Sequence, residues 1–239
     1  MDPVQSPILI GVGLAPSIFW LFFYLKKDCH PEPKYLITRT FLMGMIISPI
    51  AILLQLAVLK VSIFGFTIPE DSMQFFFWAA LVEEVIKFLA VTLIILRNPE
   101  FDEPVDAMIY MVTAGLGFAA IENILVMFRI IPDGPTATLG VWTLRFMGAI
   151  LLHALSSGIL GYFLAVSWFY QHHRKKLILI GLIMSTLFHF AFNSFLSTFE
   201  SQFMGLMYST SLLIVMAFLV AILFDKVTER HAAAQAKII

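Results

Sequence analysis

The chain has 239 residues, of which 60% are apolar and 13% charged, and its net charge is -1. Soluble domains carry about a quarter charged residues, so this composition excludes a water-soluble enzyme and a disordered protein, and the missing basic footprint excludes a nucleic-acid binder. A single cysteine, Cys29, excludes an intramolecular disulfide framework and a four-cysteine metal site.

A bilayer core about 30 Å thick takes about 20 apolar residues per helix. Seven stretches meet that length, at residues 7–25, 36–59, 73–96, 105–129, 139–169, 177–198 and 204–224. The first follows Asp2 with no basic region and no small-residue cleavage site, so it reads as a retained helix rather than a signal peptide. The polar strings KKDCHPEPK, RNPEFDEP, IPDGP and QHHRKK supply the loop punctuation between spans. The less polar segment from Lys60 to Ser72 reads as partly interfacial. With the N-terminus outside, 11 of the 15 Lys and Arg residues fall in inside segments, while Lys60, Arg129 and Arg145 fall outside and Lys87 lies within a span. The positive-inside bias therefore favours N-out, C-in. The expected fold is all-α: a polytopic transmembrane bundle of about seven helices, forming one integral-membrane domain over 1–239 with its catalytic core at about 73–198. A multi-pass protein of the cell membrane is the matching localisation.

Ionisable groups inside a span are costly and mark function by default. The third span holds Glu83, Glu84 and Lys87 in LVEEVIKFLA, and the fourth holds Glu122 and Asn123 in GFAAIENIL. His153 lies in the fifth, in LLHALSSGILG, and His189 and Asn193 lie in the sixth, in LFHFAFNSF. At 1.5 Å per residue, Glu83, Glu122, His153 and His189 lie about 15, 12, 20 and 14 Å from the outer ends of their helices. Four helices of alternating direction thus place polar residues in one layer. Positions four apart share a face, which pairs Glu83 with Lys87, His153 with Ser157, and His189 with Asn193. Glycines at 115, 117, 158 and 161 let these helices approach closely.

Such a set suits hydrolysis. A buried Glu can act as general base on a water, and a His or Asn can stabilise the oxyanion. The candidate catalytic residues are Glu83, Glu84, Glu122, His153, His189 and Asn193, with Lys87, Asn123 and Ser157 in support. Alternatively Glu83, Glu122, His153 and His189 could hold zinc as an activator of the water. No HExxH string is present, and the metal-free mode is favoured. A proton-coupled transporter is the competing class, since Glu/His/Lys chains also serve as proton relays. The plainer readings are a structural ion pair for Glu83, Glu84 and Lys87, and a cross-helix hydrogen bond for His153. Arg39 and Arg145 read as snorkelling residues, His172 and His173 as solvated topology determinants, and His231 as part of a frayed tail. The expected partners are membrane lipid and a membrane-anchored protein or peptide substrate.

EEVIK, FDEPVDAMIY…GLGFAAIEN, HALSSGILGY and HFAFN occur in that order on successive spans, from about Ala79 to Asn193. This ordered set resembles the PrsW family of intramembrane proteases, related to the CAAX-processing and bacteriocin-processing membrane proteases. The resemblance implies peptide-bond hydrolysis in or beside the membrane, for example of an anti-sigma factor. It places the family's acidic pair on Glu83 and Glu84 and its later essential His on His189, with Glu122 and His153 at the other motif positions. The prenyl-protein endopeptidases carry E-E-x-x-x-R and F-x-x-x-H, whereas this chain has Lys87 one residue closer and Glu122 in place of the His. PrsW proteins have been classed as metalloproteases, while those relatives resemble glutamate enzymes.

Overall fold

The computed structural model describes residues 5–28, 30–60 and 68–236; Cys29 and the part of the predicted interfacial segment at 61–67 lie outside them. Eight α-helices follow one another: α1 (Gln5–Leu25), α2 (Lys34–Lys60), α3 (Met73–Ile94), α4 (Asp106–Ile130), α5 (Pro135–Met147), α6 (Ala149–Phe169), α7 (Arg174–Thr198) and α8 (Gln202–Gln235). The described residues contain no strand. Six helical stretches are long and apolar enough to cross a membrane, with α5 and α6 forming one of them as Pro135–Phe169. The 22-residue α3 has the length but carries three charges at its middle. Side chains such as Leu53, Leu93 and Phe218 project outward at 67–79% exposure, an apolar surface that suits lipid and not water. The protein is an all-α, multi-pass membrane bundle.

Helix α4 is the axis. Every residue from Asp106 to Ala120 is buried, so this helix has no lipid face over four turns. It packs against α1, α2, α3 and α6. Gly117 permits the contact with α2, because a Cβ there would collide with the Phe41 carbonyl, and Gly115 permits the contact with α6, where a Cβ would strike Ser157 and the His153 carbonyl. The Gly115 approach brings the polar positions of α4 and α6 within hydrogen-bond reach, as in the contact of Glu122 with His153.

Two expectations are corrected. The span at 139–169 is not one helix: Gly148 interrupts it, leaving the short α5, which follows Gly134 (φ 97°) and begins at Pro135. Proline fits the first turn because its missing N–H is not needed there. His231 is not in a frayed tail either, since α8 runs on to Gln235. Arg230 holds this extension, donating to the Tyr170 hydroxyl at 2.6 Å and stacking over Phe169 and Tyr170.

Candidate active site

Helix α3 is capped by Ser72, whose hydroxyl accepts from the Phe75 amide at 3.2 Å. Three turns later it delivers Glu83, Glu84 and Lys87 into the bundle, all buried. Adjacent residues on a helix diverge by about 100°, and the two glutamates accordingly have different neighbours. Glu84 Oε1 is crowded: Lys87 Nζ lies at 2.9 Å, His189 Nδ1 at 2.8 Å and the Ser156 hydroxyl at 3.0 Å. Glu83 Oε1 accepts one hydrogen bond, from Gln55 Nε2 of α2 at 2.8 Å. Its other oxygen, Oε2, is buried with no hydrogen-bond partner.

Three nitrogens surround Glu83 Oε2. His189 Nε2 stands at 3.6 Å, His153 Nδ1 at 3.8 Å and Lys87 Nζ at 3.8 Å. The imidazoles meet edge to face with centroids 5.1 Å apart. His153 is clamped on both sides, by Lys87 Nζ at 2.8 Å on Nδ1 and by Glu122 Oε2 at 2.9 Å on Nε2. An ammonium can only donate, so Nδ1 accepts from Lys87 and Nε2 carries the proton given to Glu122. Phe118 of α4 closes the floor, with Lys87 Nζ 4.7 Å from its ring centroid, a distance that favours cation–π attraction.

The structure thus brings together Glu83, Glu84, Lys87, Glu122, His153 and His189. Asn193, one turn beyond His189, is half-buried and makes no hydrogen bond to the cluster among the described residues. Asn123 points away: it donates to the Gly13 carbonyl at 2.8 Å and accepts from Arg145 Nε at 3.0 Å, which ties α1 and α5 to α4. Ser157 packs at Gly115, and its neighbour Ser156 bonds Glu84 instead.

The snorkelling expectation for Arg145 is corrected. Its side chain turns inward, with Nη2 3.7 Å from Glu122 Oε2. Charge accounts for this, because an unscreened carboxylate in an apolar bundle attracts the nearest cation. Arg145 and Gln55 are the residues that motif reading overlooked. Both had a signal: Arg145 lies at the same depth as Glu122, and Gln55 is the one amide in the apolar run AILLQLAVL.

Glu83, His153 and His189 each offer a ligand atom, and the three atoms lie within 4.8 Å of one another. A tetrahedral ion with bonds of 2.0–2.2 Å sets its ligands roughly 3.3–3.6 Å apart, close to the distances around Glu83 Oε2. The Glu84–His189 contact is the outer-shell carboxylate that fixes a metal-bound imidazole. Lys87 opposes this fit, because it occupies the lone pair of His153. Glu122 stands on the far nitrogen of His153, as a partner of the ring and not a fourth member of the group.

A model of the family described as "PrsW family intramembrane metalloprotease" matches residues 32–223 of the chain. Curated proteins named "Protease PrsW" are similar over most of their length. That of Oceanobacillus iheyensis is 29% identical over 193 residues, covering 81% of this chain and 85% of the relative. That of Geobacillus kaustophilus is 28% identical over 201 residues, covering 83% and 84%. The Bacillus subtilis protein is 26% identical over 195 residues, covering 81% and 84%. No solved structure matches the chain.

Proposed function

The chain belongs to the PrsW family and is an intramembrane peptidase, and from that premise we propose that it cuts a peptide bond in a membrane-anchored protein with Glu83 as general base. Family membership selects hydrolysis over the proton-coupled carrier. The observation that carries the reading is Glu83 Oε2: a buried carboxylate oxygen with no hydrogen bond, facing His189 Nε2, His153 Nδ1 and Lys87 Nζ at 3.6–3.8 Å.

Glu83 Oε2 takes a proton from a water as the water oxygen attacks the scissile carbonyl. The carbonyl electron pair moves onto oxygen, and His189, protonated on both nitrogens beside Glu84, donates from Nε2 to that oxyanion. Collapse of the tetrahedral centre expels the amine, which receives the proton held on Glu83. Charge balance supports this assignment. Three carboxylates stand against Lys87 and Arg145, so one further positive charge, here the His189 imidazolium, neutralises the buried cluster. Such neutrality matters because an uncompensated buried charge costs several kcal/mol. Glu84 orients His189, Gln55 orients Glu83, and Glu122 orients His153.

The family description and the Glu83/His153/His189 group favour a second reading. Those residues would hold a divalent ion, which when bound acts as a Lewis acid on the carbonyl and activates water at neutral pH. The purified protein in vesicles, offered a tagged single-span protein, tests both. Cleavage is expected to vanish in Glu83→Gln and in His189→Ala, and undiminished cleavage by both variants overturns the assignment. Stoichiometric metal, with activity lost on chelation and regained on adding it back, selects the second reading.

A further inference from the structure

A cavity of about 510 Å³ lies between α5, α6, α7 and α8. Its walls continue the faces that carry the two histidines. Ala149 stands four residues before His153 on α6, and Phe192 and Leu196 stand three and seven after His189 on α7, spacings that keep each set on one helix face. Arg145 joins the two places, lining the cavity while its Nη2 approaches Glu122. That Nη2 is buried and makes no hydrogen bond.

We propose that this cavity receives the substrate's chain in unwound, extended form, and that Arg145 at its inner end donates to the carbonyl oxygen of the bond being cut. The proposal rests on the peptidase reading above. Unwound backbone at membrane depth is tolerated only where protein supplies hydrogen-bond partners. Here Arg145 offers a free donor, and the break at Gly148 starts α6 with no side-chain cap on its first amides. Thr210 adds a hydroxyl on the α8 wall. A lipid acyl chain has no acceptor for any of these groups, whereas a peptide brings one carbonyl per residue.

The probe is a synthetic single-span peptide, a lysine-flanked Leu/Ala run with a benzophenone residue at its centre. Irradiated with the Glu83→Gln protein in phosphatidylcholine vesicles, it is expected to form adducts on the α8 wall between Leu206 and Leu213. Ala217→Trp or Leu213→Trp, which fill the cavity from a helix without site residues, should abolish those adducts. In the cleavage assay with the same peptide, Arg145→Met is expected to lower kcat roughly 10²–10³-fold, the usual loss for one oxyanion donor. KM should hold nearly constant, and Arg145→Lys should recover part of the rate. Adducts confined to other helices, α8 labelling by a benzophenone phosphatidylcholine that the peptide does not displace, or wild-type kcat in Arg145→Met would each overturn the proposal. Cleavage by Glu83→Gln at the wild-type rate would instead sink the general-base assignment of Glu83, while the adducts still report on the cavity.

Discussion

Buried and half-buried carboxylates gather in two places in this molecule, and they behave differently. One group sits where the loops before α2 and α4 meet, with Asp28, Glu32, Glu103 and Asp106. There the Tyr110 hydroxyl donates to Glu32, and Asp106 Oδ2 accepts from the amides of Asp102 and Glu103 at 3.1 and 2.8 Å. Asp28 Oδ1 accepts from the His30 amide at 2.9 Å, and His30 Nδ1 reaches Glu103 at 2.8 Å. The other group is the α3–α4–α6–α7 cluster, where each carboxylate faces side-chain nitrogens. The loop group closes a chain reversal with backbone and hydroxyl donors and one exposed imidazole, that of His30. The bundle group keeps an acid oxygen unbonded among nitrogens on three helices. Burial alone therefore does not mark a site, and neither does an unbonded oxygen, since Asp28 Oδ2 has no hydrogen-bond partner either; the convergence of side-chain nitrogens from several helices on one oxygen does.

The strongest way to break that contrast is isosteric neutralisation. Glu83→Gln should lower kcat by about 10²–10⁴-fold, the usual contribution of a general base, with little change in melting temperature. Glu32→Gln should leave cleavage at the wild-type level in the same vesicle assay. Equal losses in both variants would erase the distinction.

Next comes Lys87. Replacing it with Met leaves Glu84 with His189 alone and takes one positive charge from the buried cluster, and removing one partner of such a pair costs about 3–5 kcal/mol. Thermal unfolding in detergent should show that loss, and Lys87→Met/Glu84→Gln should recover much of it. A Lys87→Met protein as stable as wild type would mean the pair is solvated.

Gln55→Leu sharpens the comparison within the cluster. A hydrogen bond to a charged group is worth about 1.5–3 kcal/mol, which translates to roughly 10–100-fold at 1.4 kcal/mol per decade. The decrease should fall on kcat/KM, with Gln55→Asn intermediate and the fold unchanged by circular dichroism. A role in packing alone would lower stability and spare the rate.

The smallest effect belongs to the loops. Burial pushes both Asp28 and Glu32 above the ordinary carboxylate range. The folded protein then binds more protons than the unfolded chain between the two values, so stability falls as pH rises through that window. Glu32→Gln should flatten this decline, melting above wild type near pH 8 and converging with it near pH 4. A melting temperature of wild type that rises between those pH values would contradict the assignment.

Particular residues show how far the sequence reached. Glu83, Glu84, Glu122, His153 and His189 stood out because lipid makes polar residues expensive, so each one inside an apolar run is visible without any contact map. Periodicity then failed at fine scale. It chose Ser157 over Ser156 and paired Asn193 with His189, since a spacing of four gives a shared face but not the rotation of that face toward a neighbour. Arg145 was read from its position near a helix end, and its inward turn depends on Glu122 of another helix.

The amino-acid sequence by itself determined the helical class, the multi-pass character and which residues are polar within apolar runs, because hydrophobic length and the cost of charge in lipid are local properties of a segment. Only the tertiary structure decided which glutamate oxygen faces both imidazoles and Lys87 without a hydrogen bond, which nitrogen of His153 faces Lys87, and how Gly148 opens a cavity beside them. Those are relations between helices far apart in the chain, set by close glycine contacts along α4 and by charges that find their partners only once the bundle has closed.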